Sequence, residues 1–246
     1  MGYNWRWNVF FETVPSGGAT YVDWFVSGLE LTVAVSLCAW LIALAVGSIT
    51  GVLRTVPSRF LRGVAAVYVE LFRNVPLLVQ LFVWYWVVPQ LLPLAWRDAI
   101  MQANPFFPSF SAGVIGLGLF TGARVCEQVR AGIESLSRGQ KGAALALGLT
   151  LPQAYRHVLV PMAFRIIVPP LTSELLNIFK NSAVVSTISL LELTGQGRQL
   201  VDYTAQPFES FIAVTLLYAA INLVLMGIMH LVEARVRVPG FIGGGH

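Results

Sequence analysis

Three groups of ionisable and amide side chains lie inside long apolar stretches of this 246-residue chain. Their members are Glu70, Arg73 and Asn74; Arg124, Glu127 and Gln128; and Glu174, Asn177, Lys180 and Asn181. Steps of three or four residues place most members of a group on one face of a helix. An ionisable side chain inside a bilayer costs on the order of 3 kcal/mol, so it faces a cavity or a partner. The spacing therefore predicts a polar path through a membrane, where solutes bind and leave without covalent chemistry.

Each group also has a structural interpretation, which the sequence alone leaves open. Glu70 and Arg73 would form an ion pair near the interface. Arg124 and Glu127 would cancel each other's charge inside the membrane. The polar stripe that begins at Glu174 would join helices by hydrogen bonds. In the functional interpretation, Arg124 binds an anionic ligand, because a planar guanidinium fits a carboxylate with two hydrogen bonds. Taken together, the three groups favour a wet central cavity.

Motifs for covalent or nucleotide chemistry are absent from the sequence. It contains no G-x-x-x-x-G-K-[S/T], H-E-x-x-H or G-x-S-x-G. The chain is therefore expected to bind neither ATP phosphates nor a metal, and to contain no catalytic residue. Cys38 and Cys126 both lie in apolar runs, where cysteine behaves as a small hydrophobic residue. A membrane enzyme is disfavoured on these grounds.

Composition defines the elements that carry these groups. Hydrophobic residues make up 56% of the chain and charged residues 11%, whereas a soluble domain carries about 25% charged residues. A spanning helix needs about 20 apolar residues, and five stretches qualify: 25–53, 64–92, 110–133, 166–191 and 208–232. Pro76 is expected to kink the second, and G-x-x-x-G pairs at Gly47 and Gly51 and at Gly118 and Gly122 favour close packing. The sequence predicts an all-α polytopic membrane protein with five transmembrane helices.

Basic residues set the expected orientation. Ten of the sixteen Lys and Arg residues lie in segments 54–62, 130–165 and 235–237, and segments rich in these residues stay on the cytoplasmic side. The N-terminus is therefore expected outside and the C-terminus in the cytoplasm. Within residues 1–24, which precede the first span, five large aromatic side chains lie at Tyr3, Trp5, Trp7, Phe10 and Phe11. Aromatic residues favour the headgroup layer, so this segment is predicted to lie along the membrane–water interface on the outer side rather than to form a disordered tail.

A polar, basic segment at 138–161 interrupts the apolar stretches. It contains Ala143 and Ala144, places Gly148 four residues after Ala144, and ends on an apolar triplet before Pro161. Gly148 is expected to let the chain turn, and Pro152 to start the next short helix.

This segment resembles the cytoplasmic loop by which permease subunits of bacterial ABC importers dock on their ATPase, a pattern written E-A-A-x3-G-x9-I-x-L-P. Over nearly its whole length the chain resembles the polar amino acid branch of these permeases, and it is most similar to a glutamate/aspartate-type permease subunit. The stretches that carry the resemblance are 68–80, 122–132, 138–161 and 169–182. Gly142 stands where the pattern has Glu, so the salt bridge that this carboxylate often forms is not expected; Val158 and Val160 keep the apolar shape.

The resemblance implies the type I (MetI-like) importer permease fold, with residues 1–246 as a single transmembrane permease domain and 134–165 as its cytoplasmic coupling loop. It places the chain in the bacterial inner membrane. The implied partners are a cytoplasmic ABC ATPase dimer that uses ATP and Mg, a periplasmic substrate-binding protein, the lipid bilayer and a second permease subunit, but no nucleic acid. A different second subunit is favoured over a copy of this chain. The implied docking residues are Ala143, Ala144, Gly148, Leu151, Pro152, Tyr155 and Pro161.

The implied function is to form the translocation path for a polar, acidic amino acid, glutamate or aspartate, by alternating access. Arg124 is the leading candidate to contact the substrate carboxylate, followed by Lys180 and Asn181. Glu127 is expected to orient Arg124, since it would repel an acidic substrate. The other candidates for the path are Arg73, Gln128, Glu174 and Asn177. Two alternatives stay open: a permease for glutamine or a basic amino acid, and an ATP-independent carrier or channel.

Overall fold

The computed structural model of the chain describes residues 3–15, 17–102 and 106–236. Within them lie eleven α-helices and no β-strand. The helices are α1 Tyr21–Leu53, α2 Arg59–Asn74, α3 Leu77–Phe82, α4 Val88–Leu91, α5 Leu94–Gln102, α6 Phe106–Glu134, α7 Arg138–Ala146, α8 Leu151–Ala154, α9 Val160–Asn181, α10 Leu193–Thr204 and α11 Pro207–Val236. Short 3-10 segments occupy Trp7–Phe11 and Ser182–Ile188, and π turns occupy Val83–Val87 and Tyr155–Leu159. Arg237, which the orientation argument used, lies outside the described residues.

The described residues contain four helical stretches long and apolar enough to cross a membrane, and up to five if a bent pair counts as one span. The four are Tyr21–Leu53, Phe106–Glu134, Leu151–Ile188 and Pro207–Val236; the bent pair is Arg59–Asn74 with Leu77–Leu91. The prediction of an all-α polytopic membrane protein is confirmed. Predicted spans one, three and five fall inside observed helices that extend them by up to four residues.

The second predicted span, 64–92, is broken rather than kinked. α2 ends at Asn74, α3 begins at Leu77, and the pair is bent by 105° at this break. Pro76 has no N–H to continue the helical ladder, and the residue before a proline avoids helical dihedrals. Val75 is accordingly extended, with φ −95° and ψ 129°.

The fourth span begins earlier than predicted. Helical structure runs from Leu151 to Ile188, so residues 151–165 of the predicted coupling loop are already helical. The charges of Arg156 and Arg165 interrupt the apolar run, which is why hydropathy placed the start at Ile166. Pro169 and Pro170 lie inside α9, where each removes one backbone hydrogen bond without ending the helix.

The chain divides into two compact units, one within 1–39, 76–117 and 177–224 and one within 40–75, 118–176 and 225–246. The expectation of one permease domain over 1–246 stays a prediction. In the first unit, a buried cluster joins the N-terminal segment to α10 and α11; its members are Val9, Val14, Tyr21, Phe25, Leu193, Leu200 and Val214. The backbone N–H of Arg6 donates to Glu209 Oε1 at 2.6 Å, and the Tyr3 hydroxyl donates to Gln206 Oε1 at 2.6 Å. The aromatic segment is therefore packed structure rather than a tail.

A fully buried carboxylate fixes the start of α10 in the same unit. Glu192 accepts hydrogen bonds from the backbone N–H groups of Thr194 and Gly195, both at 3.0 Å, and from the Tyr218 hydroxyl at 2.6 Å. Burial raises the pKa of Glu192 above its usual range, and these hydrogen bonds oppose the rise. Thr32 of α1 accepts a hydrogen bond from the Leu193 N–H at 3.1 Å. Residues of α1, α10 and α11 therefore meet around Glu192.

In the second unit, glycines let α1 and α6 approach closely. A Cβ on Gly47 would lie 2.6 Å from the Gly122 carbonyl oxygen, and one on Gly51 would lie 2.8 Å from the Cys126 carbonyl oxygen. Side chains therefore do not fit at this contact, as the G-x-x-x-G spacing predicted for Gly47 and Gly51. The close contact also brings the end of α1 against the charged part of α6.

Candidate functional site

The polar group of the second predicted span pairs differently from expectation. The Asn74 side-chain amide donates to Glu70 Oε2 at 2.8 Å. Arg73 Nη1 instead lies 3.9 Å from Glu127 Oε1 of α6, and 52% of its side chain is exposed. The Glu70–Arg73 ion pair considered from the sequence is thus replaced by an amide–carboxylate hydrogen bond at the end of α2.

Glu127 is the centre of an arginine network in the second unit. Arg54 Nη1 donates to Glu127 Oε1. Arg130 donates to Glu127 Oε2 through Nε at 3.1 Å and Nη2 at 2.9 Å. Arg130 also donates to Glu134 Oε2 at 2.7 Å. Both oxygens of Glu127 therefore accept charge-assisted hydrogen bonds, which are about twice as strong as neutral ones.

This network corrects the expectation that Glu127 orients Arg124. The partners of Glu127 among the described residues are Arg54, Arg73 and Arg130. Arg54 is 73 residues away in sequence, and it comes within reach because the glycine contact packs the end of α1 against α6. Spacing along one helix reveals only neighbours on that helix, so it could not identify this partner.

Arg124 faces a different carboxylate, Glu174 of α9. Arg124 Nη1 lies 3.8 Å from Glu174 Oε2, beyond hydrogen-bond distance. Glu174 Oε2 is buried and accepts no hydrogen bond within the described part of the chain. The Arg124 side chain is 41% exposed, and its guanidinium carbon lies 4.9 Å from the centre of the Phe120 ring.

This arrangement leaves Arg124 able to bind an anion. A guanidinium carries five N–H donors, and the contact with Phe120 holds the group over a ring face without occupying those donors. The exposed part of Arg124 can therefore meet a ligand carboxylate with two parallel hydrogen bonds. The nearby negative charge of Glu174 would repel such a ligand and weaken its binding.

The remaining path candidates are placed individually. Gln128 is half-buried in α6, one residue after Glu127. Asn177 and Asn181 are half-buried in the last turns of α9, and Lys180 beside them is exposed. No group of three or more His, Cys, Asp or Glu side chains in the described residues converges to hold a metal.

The segment from α7 to α8 forms a helix–turn–helix. α7 ends at Ala146, and Gly148 takes a left-handed φ of 85° that side chains disfavour. The Leu149 N–H then donates back to the Ala144 carbonyl at 3.2 Å. Thr150 and Gln153 form a capping box, and Pro152 lies in the first turn of α8. The turn at Gly148 and the helix start at Pro152 match what their residue types predicted.

A hydrogen bond anchors this segment to the rest of the second unit. Tyr155 is buried, and its hydroxyl donates to the Thr55 carbonyl at 2.8 Å. Ala144 is buried against the unit, whereas Ala143, Pro152 and Pro161 are exposed. Leu151 is half-buried at the start of α8.

Sequence reasoning missed two residues at the tip of the turn. Leu147 is 85% exposed and Leu145 is 42% exposed. Two apolar side chains held outward on an ordered turn are typical of a surface that a partner covers. The signal available was the apolar Leu-Ala-Leu-Gly-Leu run inside a polar segment, but it read equally well as the apolar face of a short helix.

Comparison with known proteins gives three results. The sequence profile of the family "binding-protein-dependent transport system inner membrane component" matches residues 43–238. The glutamate/aspartate import permease protein GltJ of Escherichia coli strain K12 is 56% identical over 247 residues, 99% of this chain and 100% of that protein. The crystal structure of an amino acid ABC transporter with histidines superposes with a TM-score of 0.74 at 32% identity, covering 87% of this chain and 95% of that one.

A more distant structure has the same fold. An inward-facing form of the MetNI methionine ABC transporter superposes with a TM-score of 0.67 at 19% identity, covering 89% of this chain and 96% of that one. The predicted MetI-like fold is thereby confirmed. The family profile covers most of the chain and the GltJ alignment nearly all of it, so the chain belongs to the binding-protein-dependent transport system inner membrane components and is a permease subunit of an ABC importer.

Proposed function

We infer that this chain forms the translocation path of an ATP-driven importer for acidic amino acids, glutamate and aspartate. The observation that carries the proposal is the 56% identity to GltJ over essentially the full length of both chains. Arg124 supports it independently, because it is a cation inside a spanning helix with donors free for a carboxylate.

Arg124 makes the first contact with the substrate in this proposal. An acidic amino acid has a second carboxylate, so a guanidinium attracts it more than it attracts glutamine and repels a basic amino acid. Glu174 keeps the pair near neutral before the substrate arrives and weakens the hold on the substrate afterwards. Lys180 and Asn181 are further candidate contacts, with the exposed ammonium of Lys180 suited to a carboxylate and the Asn181 amide to either end.

The helix–turn–helix from α7 to α8 docks on a cytoplasmic ABC ATPase dimer, which binds ATP and Mg in place of this chain. Its exposed apolar tip at Leu145 and Leu147 and its ordered turn at Gly148 suit insertion into a cleft. Ala143, Pro152 and Pro161 also present exposed surface there. Gly142 stands where the common pattern has Glu, so the anchoring carboxylate is absent. The space around Gly142 is open, and the docking surface remains.

The complete importer contains this subunit, a second permease of different sequence, the ATPase dimer and a periplasmic substrate-binding protein. This subunit lies in the bacterial inner membrane with its N-terminus outside and its C-terminus in the cytoplasm. ATP closes the ATPase dimer, the docking helices transmit the motion, and the path opens alternately to the two sides. Labelling by a membrane-impermeant thiol reagent tests the orientation: in a variant that lacks Cys38 and Cys126, Gly142→Cys should be labelled only after the membrane is permeabilised.

Uptake into proteoliposomes containing the complete complex tests the substrate. Glutamate and aspartate should be transported. The uptake rates of glutamine and arginine should be at least tenfold lower, because glutamine lacks the second carboxylate and arginine carries the opposite charge. Arg124→Ala should lower glutamate uptake at least tenfold, corresponding to loss of one charged hydrogen-bonding group of about 1.5–3 kcal/mol. Arg124→Lys should recover part of it.

Arg235→Ala is the matched control, because Arg235 is exposed and makes no ion pair within the described residues. Unchanged glutamate uptake in Arg124→Ala would remove Arg124 from the path. Faster uptake of glutamine or arginine than of glutamate by the unmodified complex would instead overturn the substrate.

Docking is tested separately by changing the turn. Gly148→Val should reduce ATPase retention during purification and abolish ATP-dependent uptake, because valine is strained at a φ of 85°. Gly142→Ala is the control, since nothing lies within 4 Å of an added Cβ there. Full-rate uptake without any ATPase would favour an ATP-independent carrier.

A further inference from the structure

A basic groove lies in the second unit where the end of α1, the start of α2 and the end of α6 meet. It has a volume of about 510 Å³, within the usual range for small-ligand sites. Its lining consists of Arg54, Arg59, Arg62, Gly63, Ala66, Arg130 and Glu134. Four cationic groups thus face one carboxylate.

The cations of this groove are unequally satisfied. Arg54 and Arg130 are held by Glu127 and Glu134. Arg59 and Arg62 are exposed and make no ion pair with any residue the structure describes. The groove therefore keeps two arginines available to an anion, on a rim fixed by the other two.

The residues at the floor of the groove, Gly63 and Ala66, have little or no side chain. Gly63 has nothing within 4 Å of an added Cβ, and Ala66 lies three residues further along the same face of α2. A bulky group can therefore approach the α2 backbone at Gly63, beside the two free arginines.

An exposed apolar stripe runs beside the groove on the same helix. Phe60 is 76% exposed, Val64 54%, Val67 69% and Leu71 57%. Their spacing of four, three and four residues places them on one face. At about 100° per residue, that face adjoins the face of Arg59, Arg62, Gly63 and Ala66. Cationic and apolar surfaces therefore lie side by side along α2.

We propose that this groove binds the headgroup of an anionic phospholipid, with the phosphate on Arg59 and Arg62 and an acyl chain along the Phe60–Leu71 stripe. The excess of cations selects the negative headgroup over a zwitterionic one. A free inorganic phosphate shares the headgroup chemistry, but it would leave the apolar stripe uncovered, which favours the lipid. The site lies outside the candidate substrate path and the docking turn.

Lipid retention by the purified complete complex tests the proposal. The complex is exchanged into detergent containing equimolar phosphatidylglycerol and phosphatidylcholine, washed, and its bound lipids are extracted and quantified by mass spectrometry. The unmodified complex should retain phosphatidylglycerol preferentially. An Arg59→Gln/Arg62→Gln double variant should bind it roughly 30-fold more weakly, from about 1 kcal/mol for each arginine near a charged lipid surface.

Matched variants separate charge at the groove from charge in general. Arg198→Gln/Arg235→Gln removes the same charge from exposed positions outside the groove and should retain phosphatidylglycerol as the unmodified complex does. Arg59→Lys/Arg62→Lys should preserve most of the binding. Equal retention of the two lipids by the unmodified complex, or unchanged retention by the glutamine variant, would overturn the proposal.

Two further measurements exclude other occupants. Displacement of the retained lipid by inorganic phosphate would show a soluble-anion site, and resistance to it supports the lipid. Cross-linking of a Gly63→Cys variant to a second permease subunit would show that a protein covers the groove, whereas cross-linking to a phospholipid carrying a reactive headgroup would place the lipid there.

Discussion

Two charged sites in the second unit differ in how completely their carboxylates are satisfied. Glu127 accepts from Arg54 and Arg130 on both oxygens. Glu174 lies 3.8 Å from Arg124 and has a buried oxygen without a hydrogen bond in the described part of the protein. The first site is closed and ties helices together. The second holds a cation and an anion close together without a direct hydrogen bond between them, which suits a site that must bind and release a ligand.

Removing the closed carboxylate should have the largest effect on folding. Glu127→Gln would leave Arg54 and Arg130 without their shared counter-charge, and breaking a largely buried pair costs about 3 kcal/mol. We expect a correspondingly lower unfolding temperature of the purified complex, measured by intrinsic fluorescence. Glu134→Gln is the control, because its carboxylate is 53% exposed and such pairs contribute at most about 1 kcal/mol. Equal losses in the two variants would contradict the distinction between closed and open sites.

Removing the open carboxylate should change transport rather than stability. Glu174→Gln loses no hydrogen bond on Oε2 and removes a buried charge, so the free energy of unfolding should shift by no more than about 1 kcal/mol. Arg124 would then hold an acidic substrate more tightly and release it more slowly, lowering turnover by roughly tenfold, or about 1.4 kcal/mol. The measurements are uptake rate and unfolding temperature on the same preparation. A drop in stability as large as that of Glu127→Gln would show that Glu174 is structural.

The smallest effect should come from the outermost arginine of the closed network. Arg73 lies 3.9 Å from Glu127 and is half exposed, so Arg73→Ala should cost about 0.5 kcal/mol or less. Arg54→Ala should cost more, because Arg54 donates directly to Glu127 and is only 21% exposed. A larger loss of stability for Arg73→Ala than for Arg54→Ala would place the centre of the network elsewhere. If Arg73→Ala instead lowers uptake at normal stability, Arg73 belongs to the path.

Spans one, three and five could be predicted because each is one long apolar stretch, and the turn at Gly148 because only glycine readily takes its φ. The break at Pro76 was predicted only as a kink. The apolar run continues through Pro76, so the sequence does not indicate the direction of the helix that follows it. The pairing of charged residues from different helices was not predictable. Spacing identifies residues that share a helix face, such as Glu127 and Arg130, whereas Arg54 beside Glu127 and Glu174 beside Arg124 come from distant parts of the chain and depend on packing.

Pro152 and Glu174 lie on one helical stretch that begins at Leu151, separated by roughly 33 Å of helix. Pro169 and Pro170 interrupt the hydrogen-bond ladder between them. Between the α7–α8 turn and the buried carboxylate, the regular ladder is therefore interrupted at two places, the π turn Tyr155–Leu159 and the proline pair. Substitution of Pro169 or Pro170 would alter the stiffness of this connection without changing the residues at its two ends.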